Sequence, residues 1–233
     1  MKTSNKILSI SILTILLIIS LLIIASRIII IRNAGRPKDF SDSNTISKTF
    51  DLRGFNTIEC SGAWQIEVIQ GDNYRVSVVC PEELADDVNV HTWGDILTLD
   101  NIRKWRHRRS PFRAIITMPD LTGIRINEGA SIFIDGFDTE DMEIKISGAA
   151  EIKADNSRIE NLFLRCDGAA DANLKESSVV NARLLVNGAS RITLTMNGGT
   201  LKGSASGASS IVYYGTVSAQ DIATNGAVSV RHR

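Results

Sequence analysis

"VNGASRITLT" (residues 186–195) sets an alternating apolar segment, a small polar residue, glycine and alanine ahead of a second alternating segment. The chain keeps almost rewriting it: "KISGAAEIKA" at 145–154, "RCDGAADANL" at 165–174, "SASGASSIVY" at 204–213 and "TNGAVSVRHR" at 224–233. An early copy, "CSGAWQIEVI", stands at 60–69 around Gly62. With the glycine as marker, Gly148, Gly168, Gly188, Gly207 and Gly226 follow one another at spacings of 20, 20, 19 and 19. "INEGASIFI" (126–134) adds one copy earlier, with Glu128 in the marker position.

Around each marker the side chains alternate. Two and four places before it stand Ile146 and Ile144, Cys166 and Leu164, Val186 and Leu184. Four and six places after it stand Ile192 and Leu194, Ile211 and Tyr213, and in the early copy Ile66 and Val68. Lys145, Arg165, Glu151, Lys153, Arg191 and Thr193 fill the places between. Period-two alternation of this kind marks half-buried strands. Strands recurring every 19–20 residues with no helical pattern between them predict an all-β solenoid of about 20-residue coils. Equivalent residues would then stack about 4.8 Å apart. Gly62, Gly148, Gly168, Gly188, Gly207 and Gly226 would form a structural turn column, since glycine takes positive φ without steric cost. The preceding Ser147, Asp167, Asn187, Ser206 and Asn225 are expected to bond the turn backbone locally. A sandwich or barrel with small residues recurring by chance is the competing reading. It does not account for both spacing and inward register over six copies.

The N-terminus differs in kind. "ILSISILTILLIISLLIIASRIIII" (7–31) holds 25 residues and one charge, Arg27, which is long enough to span a bilayer. Its length exceeds a secretory apolar region. We therefore expect an N-terminal transmembrane helix acting as an uncleaved signal-anchor, with secretion after cleavage as the alternative. Residues 1–6 form a short basic tail, 32–49 a polar linker, and 50–233 the exported domain, in the periplasm or on the cell surface. Removing residues 1–32 leaves 22 basic and 26 acidic residues, which gives no global footprint for nucleic acid. Cys60, Cys80 and Cys166 form neither a CxxC pair nor an even framework, and small apolar core residues are the simpler reading.

The front half, 50–120, is less regular, with turns expected at Gly71-Asp72-Asn73 and Trp93-Gly94-Asp95. "FNTIECSGAWQIEVIQGD" (55–72), "AIITMPDLTGIRI" (114–126) and the train of "SGA" turns resemble the putative auto-transporter adhesin, head GIN domain family. The resemblance covers about residues 50–228. It implies a right-handed parallel β-helix in a bacterial envelope protein, an adhesin-like role and no transferable catalytic residues.

The residues themselves offer little chemistry. His91, His107 and His232 show no metal-binding spacing, so neither a catalytic nor a metal site is assigned, and no cofactor is expected. Glu151 and Asp171 would stack on adjacent coils, close enough for paired-carboxylate hydrolysis, but Arg191 follows them in the same column. "NIRKWRHRRSPFR" (101–113) gathers Arg103, Lys104, Arg106, Arg108, Arg109 and Arg113 around Trp105 and Phe112. That loop would attract polyanions, although charges guarding a sheet edge are the simpler reading. No specific nucleic-acid motif is present. The expected function is a non-enzymatic envelope domain, adhesin-like or scaffold, with an extended β-surface for an envelope protein or glycan. The alternative is a glycan-active enzyme of lyase or hydrolase type.

Overall fold

A computed structural model of the chain describes residues 44–101 and 112–233. These belong to one compact unit, Asn44–Arg233, built of strands and a single short 3₁₀ segment. In chain order the strands are β1 (Thr45–Phe50), β2 (Thr57–Cys60), β3 (Ala63–Gln70), β4 (Arg75–Pro81), β5 (Val88–Trp93), β6 (Ile96–Asn101) and β7 (Phe112–Met118). They continue with β8 (Gly123–Ile126), β9 (Gly129–Asp135), β10 (Asp138–Gly188), β11 (Arg191–Asn197), β12 (Thr200–Gly207), β13 (Ser210–Thr216), β14 (Ala219–Gly226) and β15 (Ser229–His232). The 3₁₀ segment, η1 (Glu82–Asp87), lies between β4 and β5.

All fifteen strands join one sheet, wrapped round its core into a nearly closed, barrel-like wall. One path runs β1-β4-β7-β3-β9-β10-β8-β2-β6-β5; β11, β13 and β15 extend one side beyond β10, and β12 and β14 the other. In the repeat region the ladders are parallel. Asp171 of β10 pairs with Arg191 of β11, and Arg191 with Ser210 of β13, offsets of 20 and 19 residues. β10 runs for 51 residues because its backbone stays extended while it bends at corners. It stacks on itself, as Asn161 Nδ2 donates to Asp141 Oδ1 at 3.1 Å, twenty residues away.

This corrects the expected fold class. The molecule is not a right-handed parallel β-helix of uniform coils: β1 pairs antiparallel with β4, β4 with β7, and β5 with β6, all within the same sheet. Alternation specifies which face a side chain takes. It carries no information on strand polarity or on how far a sheet closes, so a coil and a mixed barrel-like wall write the same pattern. The expected transmembrane helix is not among the elements described. No helix among the described residues is long and apolar enough to cross a membrane, and residues 7–31 lie outside them.

The inward positions form one core. Ile144, Ile146, Leu164, Cys166, Leu184, Val186, Ile192, Leu194 and Ile211 are buried, as are Ile66 and Val68 of the early copy. Fully burying each such side chain stabilises the fold by about 1.5–3 kcal/mol. Trp64 closes the front of this core, its ring 5.1 Å from that of Phe112 and its Nε1 donating to the Ser61 carbonyl at 3.2 Å. β3 and β4 flank the expected turn at 71–73 without pairing, since β7 lies between them. All three cysteines are free and buried. Burial first, then the Asp100 and Glu128 carboxylates, push the Cys60 thiol up to about 12. Burial and Asp167 do the same at Cys166, also to about 12.

Buried serines satisfy the backbone where the wall bends. Ser177 Oγ donates to the Ala154 carbonyl at 2.9 Å and accepts from the Ser157 amide at 3.3 Å. One layer back, Ser157 Oγ donates to the Asp155 carbonyl at 2.9 Å and accepts from the Phe137 amide at 3.2 Å. Unpaired, each such group would cost about 1–3 kcal/mol.

The glycine corner is tighter still. Gly188 has φ of +121°, and a Cβ added there would collide with the carbonyl oxygen of Gly168. We expect Gly188→Val to lose on the order of 1–3 kcal/mol from backbone strain alone, with the collision adding to it. Lys153, on the outer face beside Asp155 and 5.3 Å from the Phe133 ring centre, should lose less than about 1 kcal/mol on Lys153→Ala. Thermal melts compare the two; equal small shifts would contradict the corner.

Candidate binding face

The period brings five of the six glycines together. A Cβ on Gly168 would meet the carbonyl of Gly148, one on Gly207 that of Gly188, and one on Gly226 that of Gly207. Gly148 begins the stack against the carbonyl of Glu128, so a glutamate does occupy the first corner. Gly62 stands apart, because a Cβ added there would meet the Asn101 side chain rather than a corner carbonyl. Gly203 and Gly215 were not singled out by the repeat, yet both have positive φ and close on the Leu184 and Met196 carbonyls.

Residues just before the corners were expected to bond the turn backbone. Three of them, Asp167, Asn187 and Ser206, bond one another along the stack instead. Asn187 Nδ2 donates to Asp167 Oδ1 at 2.8 Å, and Ser206 Oγ donates to Asn187 Oδ1 at 2.9 Å. Arg165 Nε donates to the other oxygen of Asp167 at 2.5 Å. The hydrogen bond from Asn187, and then that from Arg165, hold the Asp167 carboxyl below its ordinary value. A parallel ladder on another face runs from Thr200 Oγ1 to Asn181 Oδ1 at 3.2 Å, and from Asn181 Nδ2 to Asn161 Oδ1 at 3.1 Å.

Just past the corner the outer face is concave. Ala149, Ala169, Ala189 and Ala208 floor an open trough of about 550 Å³ that crosses four successive strand layers. Its bank is the column Glu151, Asp171, Arg191 and Ser210. Asp171 accepts from Arg191 at 3.4 Å, with both side chains about half exposed or more, so the pair contributes at most about 1 kcal/mol. Glu151 and Asp171 thus share a column, but Asp171 is engaged by a cation. Another open groove, of about 330 Å³, lies between the Asn161–Asn181 ladder and Phe163, whose ring carries Arg183 at 6.0 Å.

The basic loop falls almost wholly outside the described residues, which exclude 102–111 and therefore Arg103, Lys104, Trp105, Arg106, Arg108 and Arg109. Arg113 is described: it sits on β7 and pairs with Glu67 at 2.8 Å. His232 stacks on Tyr213 at 4.7 Å and its Nε2 lies 2.7 Å from the Gly215 carbonyl oxygen. Among the described residues no group of three or more His, Cys, Asp or Glu could hold a metal ion. Trp93, 85% exposed beside the β5–β6 turn, is an outward aromatic to which the sequence pattern gave no role.

The described residues thus form an all-β wall with open polar columns and a trough crossing its strands. Residues 54–180 match the family described as "Putative auto-transporter adhesin, head GIN domain", and the chain belongs to that family. Among solved structures it is similar to a putative adhesin from Bacteroides fragilis NCTC 9343, at 15% identity and a TM-score of 0.68, over 82% of this chain and 97% of that one. A putative lipid binding protein from Parabacteroides distasonis ATCC 8503 matches at 15% identity, over 82% and 98%, with a TM-score of 0.49. Such likeness concerns the fold alone. Comparison with curated proteins returns no match.

The Asp167 ladder has a pH signature. A carboxyl held low by folding contributes stability that is present above its unfolded value and is lost as pH falls through the lowered folded value. Asn187→Ala should therefore raise the Asp167 titration toward the ordinary 3.8, read from its side-chain carboxyl carbon by NMR. The variant's stability deficit should shrink once Asp167 is protonated in both proteins. An unmoved titration would contradict the ladder.

Proposed function

We propose that this domain is a non-enzymatic, adhesin-like binding domain of a bacterial cell envelope, acting outside the cytoplasm on an extended ligand laid across its strands. The observation that carries this reading is the trough over Ala149, Ala169, Ala189 and Ala208, open along its length and crossing four layers. A reaction site usually encloses its substrate and gathers convergent groups with shifted pKa values. Here the bank carries Glu151 and an Asp171 already engaged by Arg191, facing solvent. An open, mixed-charge face suits many shallow contacts along a polymer. Membership of an adhesin family supports the same reading.

The test uses the full-length protein in mild detergent against a glycan array and isolated envelope fractions. We expect retention on at least one of them. Ala189→Trp, which fills the trough from an exposed position, should weaken that retention at least about tenfold with the melting temperature kept. A folded parent that binds nothing, a variant that binds equally well, or shortening of a glycan by the parent would each contradict the proposal.

A further inference from the structure

The two ends of the wall are finished differently. At the front, η1 packs against β1, β4 and β5, burying Leu84 and Ala85, and so covers the region where two edge strands, β1 and β5, come close. Lys48 Nζ donates to the Ala85 carbonyl at 2.7 Å, and the Glu82 amide donates to the Asn44 carbonyl at 2.9 Å. At the back, β14 pairs only with β12 and β15 only with β13. Among the described residues nothing covers their outer edges. The apolar cost is visible there: Ile211 is fully buried, whereas its ladder partner Val230 is only half-buried, as are Ile222 and Val228. β14 reads "AQDIATNG", without the Lys or Pro that commonly guards an open edge.

We infer that this back edge is a docking surface for a second copy of the same chain, joined by two-fold β-pairing. β14 runs into the corner at Gly226 and β15 runs out of it. A two-fold axis through that corner lays β14 of one copy on β15 of the other, and the crossing strands are then antiparallel, as hairpin-like pairing requires.

The charges fit this occupant. In an antiparallel pair, facing residues share a face of the sheet. Ile222 lies on the ladder through Gly203, and Val230 on the ladder through buried Ile211, which sets both as inward positions. Asp221 is consequently outward, as are Ser229 and Arg231 on β15 and Arg233 just beyond it. The register centred on Gly226 places Asp221 opposite Arg231 of the other copy, and symmetry repeats the contact. The same register sets Ile222 against Val230, which removes the half-exposed apolar end from water. Gly226 falls beside the axis in this register and so meets its own counterpart.

Light scattering on the full-length protein in mild detergent, chosen because residues 7–31 are apolar, should give the mass of two chains. Asp221→Arg, placed on an exposed edge, should keep the melting temperature and weaken association at least about tenfold. Combining it with Arg231→Asp and Arg233→Asp should restore the pair. A parent that is a single chain at tens of micromolar would overturn the inference. So would a dimer untouched by Asp221→Arg, which would locate the contact elsewhere.

Discussion

The repeat region depends on one close approach: the α-carbon of each corner glycine sits against the carbonyl oxygen of the corner one layer before it. No Cβ fits there, and the amide that follows the corner uses the same carbonyl. Ala189 donates to the Gly168 carbonyl at 2.9 Å, and Ala208 to that of Gly188 at 2.8 Å. A backbone acceptor at the bend is therefore satisfied by the next layer rather than by its own turn, which fixes the stacking offset there at 20 or 19 residues. Register, inward face and outward face all follow from that offset, because a slip by one residue would turn every apolar side chain outward.

The same constraint explains why the outer face is made of columns. Asp167, Asn187 and Ser206 lie one above another only because their neighbouring glycines do, and at strand spacing their side chains reach each other more easily than the turn backbone. The alanines after each glycine stand exposed on the outer face, and the hollow over their small side chains is the trough. The trough is thus a by-product of packing: a concave strip beside the stacked corners, decorated by whichever side chains stand on its bank.

Much of this was legible. Next to the corners the spacing of the glycines matches the ladder offsets of β10, β11, β12 and β13, and alternation named the core; past Leu174 the offset from β10 to β11 drops to 17 residues, as Ser178 pairs with Thr195. The class of fold was not legible, since period-two patterning is silent about polarity: the antiparallel placement of β4 beside β7, and the insertion of β7 between β3 and β4, are decided by tertiary pairing of the front strands. Gly62 shows the limit at a single residue. It shares the "SGA" writing and lies beside the Glu128 corner, yet the face where a Cβ would stand meets Asn101, because β6 adjoins its layer on the other side. The buried serines Ser157 and Ser177 were equally hidden, as a serine in an irregular stretch reads as a loop residue until its carbonyl partner is known. Trp93 stood out only as part of a turn, and exposure is not written in the residue type.

The central claim is that the glycine corners are the least yielding part of the wall. Native-state hydrogen exchange on the full-length protein tests it directly, through the amides of Ala149, Ala189 and Ala208, each bonded to the carbonyl of the layer before. If the corners are stacked as described, these amides exchange only through global unfolding, at the free energy of the most protected strand amides of β10 and β11. Rapid exchange at the three alanines, with the flanking strand amides still protected, would show corners that open independently and would contradict the account.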